Sequence, residues 1–177
     1  MLQRWHSYPE LVADGIRADV MTTVTAQAEE AEQCLDRVAD HLVGAQHGLV
    51  LQMVHELPRL ACGLPIVFRH GDFATRNWLY DRNTDTVALI DFQMAAPGLA
   101  VEDLVWLHGA LWPTRPDLKD ALLAGLRRKL TDVEQRVLVP LTARLTISYL
   151  ATGITQNYPV LIERGHTVLD HLVNSHR

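Results

Sequence analysis

Cysteine is nearly missing from this chain. Cys34 and Cys62 are too few and too isolated for a disulfide framework or a zinc site. Lysine is as scarce, with only Lys119 and Lys129 in 177 residues. Acidic and basic side chains are scattered and the net charge is −5, so neither a nucleic-acid groove nor a membrane-binding basic face is indicated. No apolar run approaches the roughly 18 residues of a membrane span. Met1-Leu2-Gln3-Arg4-Trp5-His6 lacks the charged-then-apolar pattern of a secretory leader, and a cytoplasmic protein is expected. The early glycines, Gly15, Gly44, Gly48 and Gly63, form no Gly-x-Gly turn. Internal repeats and low-complexity tracts are lacking too. What is left is expected to be one domain over residues 1–177, long enough to bury a real core.

What is present is mostly helical periodicity. Ser7 before Tyr8-Pro9-Glu10 reads as a helix start. Helix is expected from there to about Gly44, interrupted near Met21–Thr25 where β-branched residues gather. Ala31, Leu35, Val38, Ala39 and Leu42 repeat at helical spacing, and Glu29, Glu30, Glu32, Asp36 and Asp40 form a solvated opposite face. A further helix is expected from Gln46 to about Leu57, ended by Pro58. After residue 100, short helices are expected at Val101–Leu111 and from Asp117. Thr131-Asp132-Val133-Glu134 is a capping box opening a helix to about Ala151, bent near Pro140. A last helix ends near Val173. Trp106 and Trp112 read as packing residues.

β-branched and aromatic residues cluster only in the middle. Ile66-Val67-Phe68, Trp78-Leu79-Tyr80 and Thr86–Ile90 read as strands, the last two joined as a hairpin by the turn Asp81–Asp85. Residues 64–92 are therefore expected to hold all the extended structure, with Ala95-Ala96-Pro97-Gly98 a loop, in a mainly α fold with a small β-hairpin region. The polar groups Asp72, Asn77 and Asp91 stand at the edges of these runs. The hairpin would bring Asn77 and Asp91 together, with Asp72 on the loop feeding in. Two carboxylates and an amide oxygen suit a hard cation such as Mg²⁺. Asp72 and Asn77 also have a plainer reading as turn residues bonding their own backbone.

The run His70-Gly71-Asp72-(four residues)-Asn77, then Ile90-Asp91-Phe92, then Gly98 and Asp103-Leu104, resembles the core of the aminoglycoside phosphotransferase and choline kinase-like family, whose C-terminal lobe is similar to that of protein kinases. The resemblance implies a kinase-like catalytic lobe moving a phosphoryl group from ATP or GTP to a hydroxyl of a small molecule. It implies that Asp72 takes or orients the acceptor proton and that Asn77 and Asp91 hold Mg²⁺. Asp103 is then a brace at a helix start and His70 a structural residue fixing the loop. Arg76 points at phosphate or into solvent. Such chemistry asks the protein mainly for metal ligands and an in-line nucleophile, which a loop and a neighbouring strand end can supply.

The departures are as specific as the match. No lysine precedes Asp72, the upstream region lacks a glycine-rich turn, and it reads as helix where the family has a sheet. The chain thus resembles the C-terminal lobe alone. One expectation is a phosphotransferase completed by a protein partner or a homo-oligomer mate. Another is a non-kinase protein, a binding subunit or a repurposed enzyme, on the same scaffold. A third is a fragment.

Overall fold

A computed structural model describes residues 14–175. The elements run α1 (Asp14–Arg37), α2 (Gln46–Ala61), β1 (Ile66–Arg69), β2 (Trp78–Asp81), β3 (Thr86–Leu89), β4 (Ala96–Leu99), α3 (Val105–Ala110), α4 (Pro116–Leu126), α5 (Asp132–Thr155) and α6 (Pro159–Asn174), with 3₁₀ turns at Ala39–His41, Thr75–Asn77 and Ala100–Leu104. The architecture is mainly helical, as the residue pattern predicts, with two small antiparallel sheets.

The helix α5 is the axis of the molecule. Its Val137, Leu138 and Leu141 pack with Val24, Leu57, Leu99, Leu104 and Leu107 in one core. Its Ala143, Ile147 and Leu150 pack with Leu35, Val54 and Leu169 in a second. Buried on several sides, it carries apolar residues almost all round. By length and composition alone it could cross a membrane, a match the count of uninterrupted apolar residues did not reveal, but over half of that span is buried inside the protein. Its start is the expected capping box: Thr131 Oγ1 accepts the Glu134 N–H at 3.2 Å, and Glu134 Oε2 accepts the Thr131 N–H at 2.8 Å. Burial works to raise the Glu134 carboxyl, but the Arg128 hydrogen bond and the Thr131 N–H outweigh it and hold the group below its ordinary range.

Several boundaries differ from the sequence expectation. The helix start at Ser7 lies outside the described residues. α1 runs unbroken through Met21–Thr25, because Thr22, Thr23 and Thr25 each donate their hydroxyl to the carbonyl four residues back, at 3.0 Å, and so fit the helix. α2 continues past Leu57 with Pro58 inside it, costing one backbone hydrogen bond but leaving Leu57 and Ala61 buried on the core face. α5 likewise extends beyond Ala151 to Thr155. The expectation that residues 64–92 hold all the extended structure is wrong. Ala96–Leu99 is a strand, not a loop, and pairs antiparallel with β1 in the register Ile66↔Leu99 to Arg69↔Ala96. Gly98 is needed there, since a Cβ would lie 2.4 Å from Arg69 Nε and 2.6 Å from a Glu102 carboxylate oxygen.

β2 and β3 form the expected hairpin, Trp78 opposite Leu89 and Asp81 opposite Thr86, with Asn83 N–H closing its turn on Asp81 Oδ1 at 2.8 Å. Only the base of the hairpin, at Trp78 and Leu89, packs against the body. Leu79, Tyr80 and Val87 further out are exposed. Cys34 is buried and Cys62 exposed, and both are free.

Candidate active site

The loop after β1 is held by one buried carboxylate. Asp103, on the 3₁₀ turn following β4, accepts the His70 N–H at 2.9 Å on one oxygen and the Gly71 N–H at 2.8 Å on the other. Gly71 sits at φ +84°, and a Cβ there would come within 2.1 Å of the Met94 carbonyl, so only glycine lets the chain turn. The backbone pairing of β1 with β4 carries Asp103 to this place, since the turn that bears it grows directly from β4.

His70 is fully buried and fixes the loop from the inside. The Asp72 N–H reaches its Nδ1 at 3.3 Å, and its Nε2 lies 3.0 Å from the Ile90 carbonyl. A backbone N–H can only donate and a carbonyl can only accept, so Nε2 carries the proton. Its ring is stacked at a tilt on Phe92, 4.5 Å between centroids. His70 and Asp103 thus both bond the backbone of the loop.

Asp72, partly exposed, faces outward from this support. Both its carboxylate oxygens accept from one Arg76 nitrogen, the longer contact being 2.7 Å, and Oδ2 also accepts from Asn77 Nδ2 at 3.0 Å. Asn77 is buried, and the same nitrogen holds the Asp72 carbonyl at 2.9 Å, which leaves Oδ1 as the ligand end of that amide. Ile90 donates its N–H to the Asn77 carbonyl at 3.0 Å, so the hairpin sets Asp91 one residue from a direct backbone contact with Asn77. Asp91 is exposed and left-handed, at φ 62°. An aspartate tolerates that region better than most residues, yet the conformation is strained, and such strain clusters at functional sites. Arg76 spends its guanidinium on Asp72.

Four ionisable residues lie around this loop that the sequence did not single out. The Arg69 Nε lies 3.3 Å from Glu102 Oε2, an ion-pair distance without hydrogen-bond geometry, and Glu102 reaches back to accept the Leu99 N–H at 2.8 Å. Arg144 on α5 is pulled below the ordinary guanidinium range by burial, against the attraction of Glu102 and Glu30. Tyr149, also on α5, is raised by burial, and it feels Arg76, Arg164 and Asp72. Nothing in the sequence marks Arg144 and Tyr149, because they come from a helix more than 60 positions after the loop. Three acidic residues of the C-terminal helices have partners within the protein. Asp117 pairs with Arg115 at 2.7 Å, Glu134 caps α5, and Asp170 accepts from Gln46 at 3.1 Å.

The donor set of Asp72, Asn77 and Asp91 is oxygen only, which fits a small hard cation. Among the described residues there is no group of three or more His, Cys, Asp or Glu able to hold a metal, so a cation here would need the Asn77 amide and oxygens from a bound substrate. Four cavities of 370 to 690 Å³ lie elsewhere, and none is lined by Asp72, Asn77 or Asp91.

Comparison with known proteins gives the family and the fold. Residues 1–137 match the family described as "Phosphotransferase enzyme family". No curated protein matches the chain. Among solved structures, the GDP complex of wild-type aminoglycoside 2'-phosphotransferase-IIIa superposes with a TM-score of 0.70 at 18% identity, covering 99% of this chain and 60% of that one. The GDP and kanamycin complex of APH(2")-IIia gives 0.69 at 18% identity, covering 98% and 59%. Macrolide 2'-phosphotransferase type I gives 0.56 at 17% identity, covering 93% and 54%. The likeness is one of fold, and the chain spans about 60% of the length of the first two.

Proposed function

Because the chain belongs to the phosphotransferase enzyme family, we propose that it acts as a kinase-like catalytic lobe, transferring a phosphoryl group from a nucleotide to a hydroxyl of a small molecule. The observation that supports this best is that buried Asp103 accepts the His70 and Gly71 N–H groups, with Asp72 following on the same loop and its carboxylate turned outward. Asp72 then orients the acceptor hydroxyl and takes its proton, which requires Arg76 to swing from the carboxylate, and an exposed pair of that kind is held by no more than about 1 kcal/mol. Asn77 Oδ1 and Asp91 would hold Mg²⁺, which when bound neutralises charge on the phosphate oxygens. Relatives of this fold carry GDP, and one carries kanamycin, which favours a purine nucleotide donor, ATP or GTP, and a polyhydroxylated small acceptor.

Two or three protein ligands bind Mg²⁺ weakly and leave the phosphates to other donors. The chain alone should therefore bind MgATP or MgGTP with a dissociation constant on the order of 1 mM. A protein partner or second subunit covering the open side would tighten that through charge-assisted hydrogen bonds to phosphate.

Two measurements test the reading. Transfer of labelled γ-phosphate to a panel of aminoglycosides is compared between wild type and Asp72→Asn. The variant should lose at least about 10³-fold in rate while keeping its fold and nucleotide affinity. Equal transfer by both proteins would remove Asp72 from the catalytic role. Micromolar binding of MgATP by the isolated chain would overturn the need for a completing partner. The engagement of both Asp72 oxygens by Arg76 favours a second reading, a non-enzymatic binding subunit on this scaffold, in which Asp72→Asn leaves the assembled complex unchanged.

A further inference from the structure

Positive charge gathers at one place away from the candidate active site. An open cleft of about 620 Å³ lies where the end of α4, the connection over residues 127–130 and the start of α5 meet. Its wall carries Lys119, Arg127, Arg128 and Lys129, which include both lysines of a chain whose net charge is −5. Among the described residues Asp120 is the only carboxylate lining it. Gln135, at its edge, donates its side-chain amide to the Leu130 carbonyl at 3.2 Å.

Arg127 stands in left-handed backbone, φ 54° and ψ 30°, at the end of α4. Its N–H closes the helix on the Ala124 carbonyl at 3.0 Å, a position that glycine usually fills. A long side chain there is strained, and strain of that kind clusters at ligand sites. The turn brings three consecutive cations to the cleft. Arg128 is tied at one nitrogen only: Nη1 donates to Glu134 Oε2 at 2.8 Å and to the Lys129 carbonyl at 3.3 Å. The Nε–Nη2 edge, the two-pronged side that can grip a phosphate, is left unspent. Arg127 and Lys129 have no ion-pair partner among the described residues. Lys119 is set apart, its ammonium 5.6 Å from the centre of the Trp112 ring, and it adds charge without contact.

Three fixed charges along one turn match an anion that carries its own charges in a row. We propose that this cleft binds a condensed-phosphate anion, two or three linked phosphoryl groups whose oxygens are engaged by Arg127, Arg128 and Lys129. The site stands apart from the proposed transfer chemistry and would persist if that reading failed.

Tripolyphosphate is the probe, titrated calorimetrically into the wild-type chain with EDTA present, so that metal-dependent binding at the Asp72 loop is silent. At low ionic strength its dissociation constant should be on the order of 0.1 mM. Sulfate, which reaches one cation at a time, should bind at least about 10-fold more weakly. Raising the salt to about 0.5 M should weaken tripolyphosphate by at least about 10-fold through screening. Arg127→Gly should cut the affinity at least about 10-fold, the loss of one charged contact. The same change should raise the urea midpoint, because glycine relaxes the left-handed turn, so lost binding is not lost folding. Lys129→Ala should weaken binding by a similar factor with the midpoint unmoved. No detectable binding at about 10 mM tripolyphosphate would overturn the proposal. So would sulfate binding as tightly as tripolyphosphate, or wild-type affinity in both variants, which would put the anion elsewhere.

Discussion

Asp103 and Asp91 are both aspartates beside apolar strands, yet they live in opposite surroundings. Asp103 is 1% exposed and spends its oxygens on two backbone N–H groups. Asp91 is exposed, in left-handed backbone, next to Phe92 and Met94 that also face outward. Around Asp103 the chain is locked by Gly71, His70 and the β1–β4 pair. Around Asp91 the hairpin shows Leu79, Tyr80 and Ile90 to the outside. The difference separates a carboxylate spent on the backbone from one that faces solvent.

The contrast predicts unequal responses to substitution. Asp103→Ala should cost about 4 kcal/mol in urea unfolding, since it strands two buried N–H donors that had a charged acceptor. A loss under about 1 kcal/mol would mean the brace is redundant. His108, on the buried side of the molecule, should add a pH signature. Its folded value near 4 lies below the ordinary 6.5, so the unfolded chain takes the proton first. Stability should therefore fall as pH drops from about 6.5 to about 4, by roughly 3 kcal/mol in all, and level off below. Measured against His108→Phe, which lacks that titration, the gap between the two proteins should narrow over this window. A constant gap would contradict a neutral buried ring.

On the exposed side the effects should be small for folding. Asp91→Gly should leave stability within about 1 kcal/mol, since it removes a carboxylate with no packing and eases the positive φ. The same change should weaken Mg²⁺-dependent nucleotide binding beyond detection by calorimetry. Leu79→Ser should shift unfolding by no more than about 0.5 kcal/mol. A larger loss would show that the outer hairpin is covered in solution.

The fold class was legible in the sequence, and the loop residues stood out more plainly than the element boundaries around them. Asp72, Asn77 and Asp91 stand at the edges of strand-like runs, and hairpin chemistry between Asp81 and Asp85 is a local signal that can be read without coordinates. Strand β4 was hidden because Pro97 and Gly98 are poor strand formers. It forms because it has a single neighbour, so the missing N–H of Pro97 falls on an open edge, and because bulk at position 98 would meet Arg69 and Glu102. Pro58 and the threonines of α1 misled in the opposite way, as local preference yielded to the burial of Leu57, Ala61 and Val24. Arg144 and Tyr149 could not be read at all. Their role near the loop depends on how α5 is rotated in the core, and α5 shows almost no amphipathic pattern to announce it.

The imidazole of His70 joins two backbones that are 18 positions apart in the chain, the amide of Asp72 and the carbonyl of Ile90. It therefore works as a fulcrum. The hairpin extends outward from Ile90 like an arm, and a body resting on Tyr80 or Val87 would tilt that arm about its base. The tilt would travel through two hydrogen bonds and one rigid ring to the peptide that carries the Asp72 carboxylate. The base of the hairpin and the peptide that carries the Asp72 carboxylate are thus pinned to the same ring.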